Sequence, residues 1–404
     1  MSSRTALVAV WVSAVLVLAA QTAPALAIES EAALASTLRA RAIDGLKAPF
    51  RDNPACVDDF LAFAVLDDTP DGLRTDGLIV TRNGKLLFEH YDGVFDHGKP
   101  HSLWSASKTV TATLLGAAIE ARLKTPDGKP IILDTMLQQF YAASERKKLL
   151  VPDIAPLSSV RLRHLVEMTA GFAWQESYEG DVETSTILQM LYLDDQRDMP
   201  SFALNRPIVF QPGSRWLYSG GNANLIMGAL RRAAGADGDD LPWRLLFEPL
   251  GIAEEAVFER DGAGNFVGSS YVHLTPRAMA RLGELYLHDG IWQGRRILPP
   301  GWVQDAKALN PAQLSTDYGP GYDAYVRSEG PYGKRGFWLN LPIRGMEKPF
   351  PDAPADMFFA AGHYGQLIII LPSQEMVLAR TGHDAWYWSS INTLVAKALA
   401  CFAP

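Results

Sequence analysis

Ser105 and Lys108 stand three residues apart in the run Trp104-Ser105-Ala106-Ser107-Lys108, a spacing that can activate a nucleophile. On a helix the two side chains lie about 60° apart around the axis and one turn apart along it, so the amine reaches the hydroxyl. A free serine hydroxyl is barely ionised at neutral pH and needs an adjacent base to take its proton. Lysine is such a base where burial keeps its amine uncharged, and Leu103, Trp104, Val110, Leu114 and Leu115 supply apolar surroundings. The chemistry predicted is acyl transfer. On the motif alone, a helix N-cap serine with a surface lysine is an equal reading. Ser144 and Lys147 repeat the spacing, but among Glu145, Arg146 and Lys148 that lysine stays hydrated. Ser102 and Ser107 are poorer nucleophiles, since Lys108 lies about 240° around from the first and directly beside the second.

The elements that must hold this pair are legible in part. Leu78 and Val80, then Asn83-Gly84, then Leu86 to Phe88 predict a β-hairpin over 77–91. Apolar residues recur at helical spacing from Thr109 to Leu123, before the break Pro126-Asp127-Gly128. From about 133 to 250 the chain reads as helices and loops, with helices at 163–169, 186–193, 222–233 and 243–247. Strand character returns at 336–341, 357–360, 367–371 and 376–380, and a helix over 389–400 closes the chain. Strands at both ends predict one sheet, with a mainly helical insertion over about 125–255 packed against it.

The first residues read as an export signal: Arg4, an apolar stretch from Ala6 to Ala20, and Ala25-Leu26-Ala27 as a cleavage site after residue 27. An uncleaved anchor is the minor reading, and no other window is apolar enough to span a membrane. Cleavage leaves residues 28–404, long for one core, which suggests two subdomains or one domain with a large insertion. A formal net charge of -8 without a basic cluster gives no reason to expect nucleic acid. Two cysteines are present, Cys56 and Cys401. Export makes a disulfide plausible, which requires the two ends of the mature chain to meet; two buried free thiols are the alternative. No Cys/His spacing indicates zinc and no His-Glu-x-x-His occurs.

With these residues in view the chain resembles the serine β-lactamase and penicillin-binding-protein superfamily, in the class C-like branch with esterases, D-peptidases and 6-aminohexanoate-dimer hydrolases. The resemblance covers roughly residues 60–400. It is carried by the Ser105-x-x-Lys108 turn, by His164-Leu165-Val166-Glu167-Met168-Thr169-Ala170-Gly171, by Pro212-Gly213 ahead of Tyr218, and by His363-Tyr364-Gly365-Gln366 leading into Leu367 to Leu371. It implies a β-lactamase/transpeptidase-like α/β (α+β) fold, an antiparallel sheet from both chain ends flanked by helices. It also implies Tyr218 as second base or proton relay, and the backbone amides of Ser105 and Gln366 as an oxyanion hole.

Two departures from that family's pattern bear on substrate. His363 stands where β-lactamases usually carry lysine, which suits an esterase or amidase better than a site anchoring a β-lactam carboxylate. Gly220 stands where class C enzymes place the asparagine of Tyr-x-Asn, with Asn222 or Asn224 as substitutes. The stretch 172–181, holding Trp174, Glu176, Tyr178, Glu179 and Asp181, reads either as a substrate-pocket wall able to receive an amine or as an exposed loop with buried aromatics. His363, Tyr364, Gly365, Asn222, Asn224, Trp174, Tyr178 and Asp181 are thus the candidate substrate contacts. Trp216, Trp386 and Trp388 are pocket aromatics or, more simply, core; Arg380 and His383 read as salt-bridge or loop contacts. The expectation is a periplasmic or secreted serine hydrolase acting on a small ester or amide without metal or organic cofactor. A slow or inactive penicillin-binding-like sensor and a true β-lactamase are the alternatives, and an α/β-hydrolase is discounted because no Gly-x-Ser-x-Gly is present.

Overall fold

The structure, a computed structural model, describes residues 54–65, 73–92, 95–178, 181–193, 197–314, 330–343, 345–384 and 387–403. The expected export signal, Glu179 and Trp386 lie outside them. The helices are α1 (Pro54–Ala64), α2 (Ser107–Glu120), α3 (Leu162–Val166), α4 (Thr186–Tyr192), α5 (Met199–Leu204), α6 (Gly220–Ala234), α7 (Pro276–Leu287), α8 (Trp302–Ala306) and α9 (Ser390–Phe402). The strands are β1 (Thr75–Arg82), β2 (Lys85–Tyr91), β3 (His101–Ser102), β4 (Ala256–Phe258), β5 (Val272–Leu274), β6 (Ile291–Trp292), β7 (Arg295–Arg296), β8 (Trp338–Leu339), β9 (Phe358–Gly362), β10 (Gln366–Leu371) and β11 (Met376–Gly382).

The main sheet runs β2-β1-β11-β10-β9-β8, antiparallel throughout. Its centre joins the two ends of the chain: β1 pairs with β11, Val80 opposite Leu378. The expected hairpin forms at Asn83-Gly84, both left-handed, as a two-residue turn matching strand twist requires. β10 and β11 are buried along their whole length, so they read as continuous apolar runs rather than as alternation.

Side-chain alternation sorts the layers. α7 packs on the face carrying Gly77, Thr81 and Val377. On the opposite face Phe60 of α1 meets Phe88 of β2 and Phe402 of α9, with ring centroids 5.3 and 5.0 Å apart. Cys56 on α1 and Cys401 on α9 form a disulfide, Cα to Cα 5.4 Å, so the alternative of two free thiols is set aside.

Between β3 and β4 no named strand occurs among the described residues, only helices and turns. α2 lies between this helical region and the sheet layer, with every residue from Ser107 to Ala118 buried. A helix enclosed on all sides lacks a polar stripe, and its threonines find partners inside. Thr109 and Thr111 donate to the carbonyls of Gly336 and Gly268 at 2.5 and 2.9 Å, and Thr113 Oγ1 lies 2.9 Å from Tyr286 Oη of α7.

Candidate active site

Ser105 sits in a single 3-10 turn, Trp104–Ala106, that runs directly into α2. Trp104 holds a positive φ of 48°, a conformation costing a non-glycine residue on the order of 1–3 kcal/mol. Rings pack around it: Tyr178, His363 and Tyr364 lie 6.2, 5.6 and 5.8 Å from the Trp104 ring, centroid to centroid. That packing aims the next residue, Ser105, out of the helix start.

One turn on, the Lys108 side chain is buried with its Nζ among oxygens. It donates to Ser105 Oγ at 3.0 Å and to the Ser269 carbonyl at 3.2 Å, and pairs with Glu176 Oε1 at 2.9 Å. The amine, expected to be enclosed by apolar flanks, instead meets a carboxylate. The ring of Tyr218 closes the fourth side, its centroid 4.8 Å from Nζ.

Glu176 is the residue that sequence reasoning underrated. It is 8% exposed, and its Oε2 accepts from Trp174 Nε1 at 2.5 Å and from the Gly220 amide at 2.7 Å. Gly220 has no room for a side chain: a Cβ there would lie 2.7 Å from Ile187 Cδ1 and 3.2 Å from both Glu176 carboxylate oxygens. The place an asparagine would enter is taken by the Glu176 carboxylate. Neither Asn222 nor Asn224 substitutes for it. Asn222 is buried on α6, its Nδ2 3.8 Å from Met168 Sδ. Asn224 is fully buried; it accepts from the Ser269 amide at 3.1 Å and donates to Ser269 Oγ at 3.3 Å, supporting the carbonyl that binds Lys108 from behind.

Tyr218 is placed by the two motif segments bonding to each other. The Gly213 amide donates to Thr169 O at 2.8 Å and the Leu217 amide to Met168 O at 2.7 Å; Ser219 then caps α6, accepting from the Asn222 amide at 3.3 Å. The His164 segment is thus scaffold: His164 Nδ1 accepts from the Arg161 amide at 3.2 Å at the start of α3. Burial, reinforced by Arg163 and Arg161, pushes the His164 imidazole down to about 4. The Tyr218 ring stacks on Trp338, centroids 5.6 Å apart at 28°, and meets Tyr332 edge-on at 5.6 Å.

Gln366 opens β10, opposite Gly362 at the end of β9, with the turn His363–Gly365 between. A Cβ on Gly362 would lie 1.9 Å from Leu103 O and 3.2 Å from Ala106 N, so only glycine lets β9 cross the Ser105 turn so closely. The Gln366 side chain folds away, donating to Gly382 O at 2.7 Å, and the Gly365 carbonyl accepts from Arg380 Nη1 at 2.9 Å. Arg380 also pairs with Asp384, as expected of a structural salt bridge.

Of the other expected contacts, His363 and Tyr178 stack with centroids 5.5 Å apart at 25° and, with the exposed Tyr364, border the site. Burial pushes the Tyr178 phenol up, the Lys108 charge opposing it. Trp174 is core, 2% exposed, and acts through Glu176. Asp181 is exposed, its carbonyl accepting from Thr184 N at 3.1 Å. Trp216 is fully buried and Trp388 is 37% exposed, packed on Trp338, Phe350 and Phe359.

Comparison with known proteins identifies the family and the fold. The Beta-lactamase family profile matches residues 63–385. A 6-aminohexanoate-dimer hydrolase of Paenarthrobacter ureafaciens is 23% identical over 256 residues, 61% of this chain and 60% of the relative; the match thus spans less than two thirds of that protein. A family VIII carboxylesterase superposes with a TM-score of 0.63 at 14% identity, over 89% of this chain and 99% of that one. A penicillin-binding protein homologue from Caulobacter crescentus gives 0.60 at 17% identity, over 86% and 97%. These structures share the fold, the mixed α/β architecture with a helix-flanked antiparallel sheet. The chain belongs to the Beta-lactamase family, within the serine hydrolase and penicillin-binding-protein-like superfamily.

Proposed function

We propose that this protein is an exported serine hydrolase that cleaves a small ester or amide through an acyl-enzyme. From the state in which the proton shared by the Lys108–Glu176 pair sits on Glu176, Ser105 Oγ attacks the carbonyl carbon while its own proton passes to the free lone pair of Lys108 Nζ. Tyr218 relays a proton to the leaving group and later helps activate water, which cleaves the acyl-serine ester and returns the proton. The amides of Ser105 and Gln366 hold the oxyanion, where one donor is worth roughly 3 kcal/mol.

The observation that carries this reading is the 3.0 Å contact between Lys108 Nζ and Ser105 Oγ inside a buried charge pair. Glu176 at the Gly220 position and His363 at the usual lysine position favour an ester or linear amide over a β-lactam. The disulfide supports an oxidising, periplasmic or extracellular location. The test is turnover of p-nitrophenyl esters, D-amino-acid amides, linear aminohexanoate dimers and nitrocefin by the purified protein. Ester or amide hydrolysis lost in Ser105→Ala supports the proposal. Nitrocefin as the fastest substrate would overturn the substrate assignment, and no turnover of any by folded protein would overturn the activity.

A further inference from the structure

Outside the site, three metal-ligating side chains from distant parts of the chain converge on one point. Asp76 lies on β1, His101 on β3, and His383 just beyond β11. Asp76 Oδ2 lies 2.8 Å from His101 Nε2 and 2.7 Å from His383 Nδ1, and the three donor atoms all lie within 4.8 Å of one another. The two imidazoles face each other edge-on, centroids 5.3 Å apart, and Phe95 covers both at 5.3 and 6.4 Å. Asp76 and His101 are largely enclosed, whereas the His383 side chain is 53% exposed, which leaves an entry path.

We propose that Asp76 Oδ2, His101 Nε2 and His383 Nδ1 bind a divalent transition metal of the zinc type, with water completing the coordination. Two imidazoles and a carboxylate are a donor set such ions take with an open position. His101 Nδ1 lies 3.4 Å from Ser102 O, so a proton there has a backbone acceptor and Nε2 keeps its lone pair for the metal, the usual arrangement around a ligating histidine. Metal bonds of about 2.0–2.1 Å place tetrahedral donors about 3.3 Å apart. The two separations from Asp76 Oδ2 reach that by opening roughly 0.5 Å, and the two imidazole nitrogens, within 4.8 Å of each other, by turning toward the shared ion. The spacing along the chain carries no signal for this site, because pairing of β1 with β11 sets Asp76 beside His383 while His101 comes from β3 of the separate three-stranded sheet.

The metal would act as a clip. His101 lies four residues before Ser105, and the Asp384 amide, next to His383, donates to Tyr364 O at 3.1 Å in the turn preceding Gln366. One ion would thus tie together the two segments that carry Ser105 and Gln366.

The experiment titrates untagged, EDTA-treated full chain with Zn2+ by calorimetry and with Co2+ by visible absorption. The proposal expects one equivalent bound with Co2+ bands of histidine-carboxylate coordination. It expects His383→Ala and Asp76→Asn to weaken both ions by more than about 100-fold, and His288→Ala, on the distant pair with Glu284, to change nothing. His383 is exposed enough that its alanine variant should fold, checked by circular dichroism. Absence of stoichiometric binding, or binding unchanged in His383→Ala, would overturn the proposal. Neither outcome depends on hydrolytic activity.

Discussion

Glu176 Oε1 lies 2.9 Å from Lys108 Nζ, and the same carboxylate holds Trp174 Nε1 and the Gly220 amide. The pair fixes the lysine head beside Ser105 rather than leaving it to sample solvent. It also brings the 172–181 stretch, which reads either as a pocket wall or as an exposed loop, into direct contact with Lys108.

Replacing Glu176 tests this directly. Glu176→Ala leaves a buried lysine without its counter-charge, a change that typically costs about 3–5 kcal/mol, read by urea unfolding. Glu176→Gln keeps the acceptor for Trp174 or Gly220 and is expected to destabilise less. It should still lower kcat/KM by about 100-fold, in the range of a lost proton-transfer group. Wild-type turnover in Glu176→Gln would remove the carboxylate from the mechanism.

Gly362→Ala probes the crossing of β9 over the nucleophile turn. A methyl group 1.9 Å from the Leu103 carbonyl cannot be accommodated without backbone movement. The expected result is loss of most serine labelling together with a lower Tm, whereas Gly84→Ala, in the distant hairpin turn with no atom near its Cβ, should lower Tm only.

The disulfide spans a sequence separation of 345 residues. In the chain-entropy account so long a loop contributes about 5 kcal/mol. Cys56→Ser with Cys401→Ser should therefore shift the denaturant midpoint strongly downward, and added reductant should leave that double variant unaffected while destabilising the parent.

His164 predicts a specific acid sensitivity. Its ordinary value of 6.5 falls to about 4 in the folded protein, so between those values the unfolded chain binds a proton that the native one does not. Stability is full above about pH 6.5 and declines as pH falls toward 4. Partial exposure reduces the effect to on the order of 1 kcal/mol. His164→Gln should flatten that part of the stability–pH curve; an unchanged slope would contradict the assignment.

Local patterns revealed much of this fold. The Asn83-Gly84 hairpin, the four late strands and the closing helix each carry their own period and turn chemistry, so they are readable within a dozen residues. α7 carried a signal that periodicity over the middle of the chain hides: Thr275 ahead of Pro276, the threonine accepting from the Ala278 amide at 3.1 Å as an N-cap. The meeting of Ser105, Lys108 and Tyr218 at one place was legible because each sits in a recognisable segment. Glu176, and Asn224 behind Ser269, were not, because a buried carboxylate meets its lysine through folding of a loop whose path no spacing records. Asn222 and Trp174 were misplaced for the reverse reason: polar or indole groups near a site look like ligands until burial shows what they hold.

The central claim is that Ser105 is the nucleophile. Intact-mass spectrometry after treatment with a fluorophosphonate reports it directly. The account predicts one adduct per chain on the peptide holding Ser105, absent from Ser105→Ala and much slowed in Lys108→Met. An adduct of equal yield in Ser105→Ala would contradict it.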